Sequence, residues 1–97
     1  GTSPIIIDNI KNNIVEEEFR IFPNPNKGLF NINLEKEIIN SKVLIYKISG
    51  ELVKSYWFKN SIELSNYRFN LTEEVAGTYF IKIESTTYQG ISTIIIN

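Results

Sequence analysis

The residues of this chain that could carry out acid–base chemistry are glutamates, concentrated at two places. Glu16, Glu17 and Glu18 form one run, and Glu73 and Glu74 form a second pair. A glycoside hydrolase needs two carboxyl groups facing each other across a cleft, in environments that separate their pKa values. Adjacent glutamates in a polar stretch are typically solvated and do not supply that arrangement. We therefore expect neither cluster to be catalytic or to bind a metal.

The composition removes several other classes of catalytic side chain, so catalysis would have to depend on carboxylates, Lys, Tyr or Ser. The 97 residues include no histidine, no cysteine and no methionine. Thiol nucleophiles, imidazole bases, Ser-His-Asp triads and the usual zinc ligands are thereby excluded. The sequence predicts a protein that is not an enzyme and needs no cofactor.

Three consecutive aromatic residues, Tyr56, Trp57 and Phe58, offer a different chemistry, the stacking of sugar rings. A stacking platform needs coplanar aromatic side chains on one face. In a β-strand, alternation sends Tyr56 and Phe58 to one face and Trp57 to the other. Packing in the core and at its edge is therefore the favoured role, and sugar binding is the alternative.

The charge pattern gives no indication of a polyanionic partner. The net charge is −1 at pH 7, so we expect no binding to nucleic acid. The sequence contains no run of 18 apolar residues and no signal peptide at its start. If the chain is exported, we expect the first export signal to lie upstream of residue 1.

From Phe19 onward the hydrophobic pattern has a period of two, and turn residues recur at short intervals. This pattern predicts an all-β fold, an immunoglobulin-like antiparallel β-sandwich of about seven strands. The strand at 42–48 is apolar on both faces and should be covered twice. The predicted strands are Phe19–Phe22, Leu29–Leu34, Lys42–Ile48, Leu52–Phe58, Tyr67–Leu71, Thr78–Glu84 and Ile91–Ile96.

The first 18 residues differ from the rest in composition. The apolar triplet Ile5 to Ile7 is followed by several asparagines and then by the glutamate run. We interpret residues 1–18 as a linker from an upstream domain and residues 19–97 as one β-sandwich domain. The linker is expected to be irregular, with Ile5 to Ile7 as a candidate addition to a sheet edge.

A stiff loop precedes the first clearly alternating strand. Pro23 and Pro25 each fix φ near about −65° and remove a backbone donor, which excludes a helix or a central strand. Asn24 and Asn26 favour a turn because their side chains can bond to nearby backbone, and Gly28 can adopt the positive φ that often ends one. The loop is predicted to turn the linker into the first sheet, and one rigid loop can also serve as a recognition surface.

Two further features follow in order along the chain. The turn Ser49-Gly50-Glu51 comes after an apolar strand, and Gly77 begins the strand that contains Tyr79. The chain then ends in an apolar run that is strongly β-prone. Since chain ends are normally polar and frayed, this run must complete a sheet or offer an edge to a partner. It comprises Ile94, Ile95, Ile96 and Asn97.

In their order, spacing and position, these features resemble the C-terminal sorting domain of type IX secretion, a β-domain that ends many exported proteins of Bacteroidota. The resemblance covers roughly residues 19 to 97 and implies the same immunoglobulin-like fold. The residues that carry it are expected partly to define the fold and partly to contact partners. They are Pro23, Asn24, Pro25, Gly28, Gly50, Gly77, Tyr79, Ile94, Ile95, Ile96 and Asn97.

The resemblance also implies a function, a folded signal that directs an upstream cargo protein across the outer membrane. The implied partners are the type IX translocon, an outer-membrane β-barrel shuttle protein and a surface cysteine-protease sortase. The signal would be cleaved off or used for attachment, leaving the cargo secreted or at the cell surface after passage through the periplasm and outer membrane. The expected cleavage region is Asn13, Ile14, Val15 and Glu16. The alternative is a carbohydrate-binding or spacer β-sandwich module of a secreted enzyme.

Overall fold

The computed structural model describes residues 15–16 and 19–97, which form eight strands and one short helix. The chain order places the helix between the fifth and sixth strands. The elements are β1 (Val15–Glu16), β2 (Arg20–Phe22), β3 (Leu29–Asn33), β4 (Ile39–Lys47), β5 (Leu52–Asn60), α1 (Ser61–Asn66), β6 (Phe69–Asn70), β7 (Gly77–Glu84) and β8 (Tyr88–Ile96).

The strands form two sheets. One has five strands in the order β1-β8-β7-β4-β5, and the other has three in the order β2-β3-β6. All pairs are antiparallel except β1, which runs parallel to β8 at the edge of the larger sheet. Side chains from both sheets meet in a single apolar core. The predicted all-β sandwich is therefore confirmed.

Alternation along each strand builds the core. Phe30 and Ile32 of β3 are fully buried, and so are Ile81 and Ile83 of β7. The register places Val43 of β4 opposite Ile83, so that core residues line up across the larger sheet. Each such strand presents one apolar face inward, as the period of two predicts.

An aromatic cluster fills the core where the two sheets approach at β5 and β6. The rings of Phe30 and Phe69 stack with centroids 5.2 Å apart. Phe69 also meets Tyr56 and Tyr67 edge to face, at 5.0 and 4.8 Å. Tyr56 and Phe58 point inward and Trp57 outward, with 59% of Trp57 exposed. The alternation predicted for these three residues is confirmed.

Strand β4 departs from the prediction of two covered faces. Val43 and Ile45 are fully buried, but Leu44 and Tyr46 on the other face are only half-buried, and Ile48 is 69% exposed. The second face is apolar in sequence yet lies on the outer side of the larger sheet. The prediction was wrong because an apolar pattern does not reveal which sheet face has a partner layer.

Helix α1 was not predicted. Its N-cap Asn60 accepts a hydrogen bond from the N–H of Glu63 at 2.9 Å. The Glu63 carboxylate in turn accepts the N–H of Lys59 at 3.1 Å. This reciprocal capping resembles a capping box, and the Asn-x-x-Glu spacing is the sequence signal that could have located the helix. Within the described part of the chain, no helix is long and apolar enough to cross a membrane.

The linker also differs from its expected irregularity at two positions. Val15 and Glu16 form β1, in register with Tyr88 and Gln89 of β8. The suggested addition of Ile5 to Ile7 to a sheet edge lies outside the described residues. Some strand ends also moved: β4 begins at Ile39 and β8 at Tyr88, both earlier than predicted.

Ser41 offers a test of the core. Its side chain is fully buried opposite Phe58, and its hydroxyl has no hydrogen-bond partner among the described residues. An unsatisfied buried hydroxyl costs about 1–3 kcal/mol. Ser41→Ala is therefore expected to raise the free energy of unfolding by about 1 kcal/mol. Urea denaturation followed by circular dichroism measures this, and a loss of stability would show that the hydroxyl has a partner.

Candidate functional site

The loop between β2 and β3 lies along the side of β8 that faces away from β7. The Asn24 side chain donates from Nδ2 to the Thr93 carbonyl at 3.2 Å. Its Oδ1 accepts the N–H of Ile95 at 3.0 Å. One side-chain amide thus pairs with β8 as a backbone peptide group of a neighbouring strand would. Both prolines that flank Asn24 follow cis peptide bonds.

Asn26 completes the junction with β8 and is buried. Its N–H donates to the Ile95 carbonyl at 3.0 Å, and its carbonyl accepts the N–H of Asn97 at 2.7 Å. Its side chain closes the loop, donating to the Pro23 carbonyl at 2.8 Å and accepting the Gly28 N–H at 2.7 Å. Since both its backbone and its side chain are bonded, Asn26 fixes the loop to the chain terminus.

At Gly28 the loop contacts Leu71 and Thr72, the residues that follow β6 of the smaller sheet. Its φ is +113°, and a Cβ built there would lie 2.7 Å from the backbone Cα and N of Thr72. The Gly28 carbonyl accepts the N–H of Leu71 at 2.6 Å. Glycine is required here both by the positive φ and by the close approach of two backbones.

Strand β7 brings Gly77 and Tyr79 to the same end of the larger sheet. Gly77 pairs with Ile96 and Tyr79 with Ile94. Tyr79 is buried and its hydroxyl donates to the Val75 carbonyl at 2.5 Å. This bond holds the chain that leads into β7, which gives Tyr79 a role in the fold.

Gly50 lies at the same end of the larger sheet, but on the β4 side of β7, away from β8. It is in the turn between β4 and β5, where its N–H donates to the Lys47 carbonyl at 2.8 Å. Lys47 pairs with Tyr79, which places it about two strand spacings, roughly 10 Å, from Ile94. The structure therefore gathers nine of the eleven predicted motif residues in or beside the end of β8, whereas Gly28 contacts the backbone of Leu71 and Thr72 and Gly50 lies apart.

The gathered side chains divide into a buried and an exposed set. Tyr79, Ile94 and Ile96 are buried, which assigns them to the core. The exposed residues lie close together at the C-terminal end of β8, and we call them the signal surface. It consists of Pro23, Asn24, Pro25, Ile95 and Asn97.

The predicted site does not include Asn26, although its backbone forms two hydrogen bonds that join the loop to Ile95 and Asn97. Asn26 stands directly after the Pro-Asn-Pro sequence, so its position in the loop was the available signal. What could not be read from the sequence was the strand to which it bonds. In the predicted cleavage region, Val15 and Glu16 belong to β1, while Asn13 and Ile14 lie outside the described residues.

The remaining chemical groups lie elsewhere on the molecule. Glu73 and Glu74 line a shallow groove with Lys54, whose ammonium donates to the Asn70 carbonyl at 3.3 Å. Burial raises the pKa of Tyr56 above its ordinary 10.0, with a further contribution from Tyr67, so this phenol stays neutral at physiological pH. Among the described residues, no three acidic side chains come together to hold a metal ion.

A comparison with known protein families decides between the candidate functions. The family model for the secretion system C-terminal sorting domain matches residues 20–97. The chain belongs to this family. A type IX sorting domain is a C-terminal signal for type IX secretion, carried by an upstream cargo in the same precursor. No curated protein gives a significant match.

Family membership has three consequences for this sorting domain. The domain is not itself catalytic. Its cargo is a secreted or cell-surface protein that passes the outer membrane. The alternative of a carbohydrate-binding or spacer module is not favoured. The matched region also includes the whole loop, β7 and β8, and therefore the signal surface.

Proposed function

We propose that the type IX machinery reads this sorting domain at the signal surface. The observation that supports the proposal is the division of the terminal isoleucines. Ile94 and Ile96 are buried in the core, whereas Ile95 between them is 46% exposed. The exposed Ile95 lies next to the Asn24 side chain that its N–H contacts. A partner can therefore reach a rigid surface with an apolar centre beside a proline-rich loop.

The proposed readers are the type IX translocon and an outer-membrane β-barrel shuttle protein. The signal surface has no charged side chain, so its recognition would depend on shape and apolar contact. A surface cysteine-protease sortase would act afterwards on the linker. The proposed route leads from the periplasm across the outer membrane, with the cargo released or attached at the surface.

The proposal predicts that Ile95→Ser blocks export without unfolding the domain. Ile91 is the matched control, since it lies four residues earlier on the same face of β8 and is 56% exposed. A reporter fused upstream of each variant is measured at the cell surface and in the periplasm. We expect Ile95→Ser to remain in the periplasm and Ile91→Ser to reach the surface.

Circular dichroism of both purified variants checks that they fold. Equal export of the two folded variants would refute recognition at Ile95. If both variants lose export to the same extent, the machinery recognises the outer face of the larger sheet as a whole and not the signal surface.

We further propose that residues 1–18 link the cargo to the folded signal and that cleavage falls between Asn13 and Glu16. A protease cleft binds an extended, unpaired segment. Because Val15 and Glu16 pair with β8, cutting beside them requires β1 to leave the sheet edge. A two-residue strand opens at low free-energy cost compared with the core strands.

Limited proteolysis tests this division of the chain. We expect the first cuts to fall before Phe19 and to leave a stable fragment of residues 19–97, identified by mass spectrometry. The physical reason is that residues 29–96 are held by the two sheets, the helix and their connecting loops. First cuts inside residues 29–96 would contradict a linker followed by one domain.

A further inference from the structure

Strand β8 has the composition of a strand that adds readily to other strands. Residues 85–97 contain no Asp, Glu, Lys or Arg, and four of the last seven residues are isoleucine. Uncharged, β-prone segments at a sheet edge are templates for pairing with another chain. The β8 side of the larger sheet is therefore prone to pairing with a strand of another molecule.

The opposite edge of the same sheet is protected by charge. Strand β5 carries Lys54 and Lys59, and the Glu63 carboxylate occupies the outward N–H of Lys59 at 3.1 Å. Lysines on an edge strand oppose pairing with a second strand. The β8 edge has no such charge and must be protected in another way.

At β8 the protection comes from the preceding chain. The backbone of β1 pairs with Tyr88 and Gln89, and the Phe19 carbonyl accepts the Ser92 hydroxyl at 3.2 Å. Asn24 then occupies the Thr93 carbonyl and the Ile95 N–H, and Asn26 occupies the Ile95 carbonyl. Among the described residues, the cover between Ser92 and the N–H of Ile95 is the single side-chain amide of Asn24.

We propose that the Asn24 amide is an edge cap that prevents β8 from pairing with β8 of a second copy of this chain. It fills the hydrogen-bonding groups that a neighbouring strand would otherwise use. A second copy is the partner that fits, because β8 meets no like-charge repulsion from an identical uncharged strand. The edge cap acts in the free domain, before any partner reads the signal.

Asn24→Leu tests the edge cap by removing both hydrogen bonds while keeping a side chain of similar size. We expect the domain to form a dimer whose fraction rises with protein concentration, measured by light scattering after size-exclusion chromatography. In the remaining monomer, the Ile95 amide should exchange with solvent about fivefold faster, as expected for one lost hydrogen bond. Asn31→Leu is the matched control, since Asn31 donates one side-chain hydrogen bond to the Tyr67 carbonyl on the other sheet.

A second substitution identifies the surface used by the dimer. Thr93 is exposed on β8, so Thr93→Lys in the Asn24→Leu background places a charge on the uncapped edge. We expect this double variant to be monomeric and the Asn31→Leu control to remain monomeric. Asn24→Ala, which removes the same bonds with less added apolar surface, replaces Asn24→Leu if the leucine variant does not fold.

Three results would overturn the proposal. The first is a folded Asn24 variant that stays monomeric at every concentration. The second is a dimer that Thr93→Lys does not dissociate, because such a dimer uses another surface. The third is equal dimerisation of the Asn31→Leu control.

Discussion

Deletion of Ile94–Asn97 is expected to unfold the domain or to remove most of its stability. Ile94 and Ile96 are 0% and 3% exposed, and burial of each such side chain contributes about 1.5–3 kcal/mol. The deletion also removes the pairs that join Gly77, Thr78 and Tyr79 to β8. Since a domain of this kind has a free energy of unfolding of about 5–15 kcal/mol, these losses consume a large part of it.

Single substitutions compare how much the buried and the exposed face of β8 contribute to stability. Ile94→Ala should lower the free energy of unfolding by about 2–5 kcal/mol, as other large-to-small core substitutions do. Ile95→Ala, the matched control at an exposed position, should change it by less than about 1 kcal/mol. Urea denaturation followed by circular dichroism gives all three values. A deletion variant with an unchanged midpoint would exclude β8 from the core.

The burial of Ile94 and Ile96 affects export as well as stability when the C-terminal residues are deleted. A truncated signal that fails to leave the periplasm has lost its core as well as its exposed residues. The truncation alone therefore cannot separate misfolding from lost recognition. Substitution of Ile95 can, because its side chain lies on the outer face while its buried neighbours stay in place.

The strands could be predicted because their causes are local. Phe30 and Ile32, or Ile81 and Ile83, lie two residues apart on one strand face, and this spacing is visible in the sequence. The stiffness of the Pro23–Pro25 loop is equally local, since each proline restricts its own φ. These features established the sandwich and the entrance to β3.

The contacts that make the signal surface could not be predicted in the same way. Asn24 bonds to residues 69 and 71 positions away, so its partners depend on the register of strands formed elsewhere. The parallel strand β1 has no signature of its own in two residues. The exposed outer face of β4 shows the same limit, because a sequence pattern gives apolar faces but not the layers that cover them.

Among Gly28, Gly50 and Gly77, Gly28 is the position at which an added methyl group is expected to destabilise the domain most. At φ +113° an alanine is strained, at a cost of about 1–3 kcal/mol. Its Cβ would also lie 2.7 Å from Thr72 Cα and N, which are backbone atoms that cannot rotate away. Overpacking of this kind adds about 1–3 kcal/mol. We therefore expect Gly28→Ala to lower the free energy of unfolding by about 2–6 kcal/mol.

Gly50→Ala is the matched control, because Gly50 also has a positive φ, +99°, but no described residue other than its chain neighbours comes within 4 Å of its added Cβ. It should show the backbone strain alone, so the difference between the two variants measures the close approach at Gly28. Urea denaturation of both provides that difference, and equal losses of stability would show that the Thr72 backbone shifts to make room.

Displacement of the loop by Gly28→Ala has a second consequence, because the Gly28 N–H is bonded to the Asn26 side chain, and Asn26 bonds to Ile95 and Asn97. Gly28→Ala should therefore also accelerate amide exchange at Asn97, whereas Gly50→Ala, in a turn beyond β7, should leave that amide unchanged.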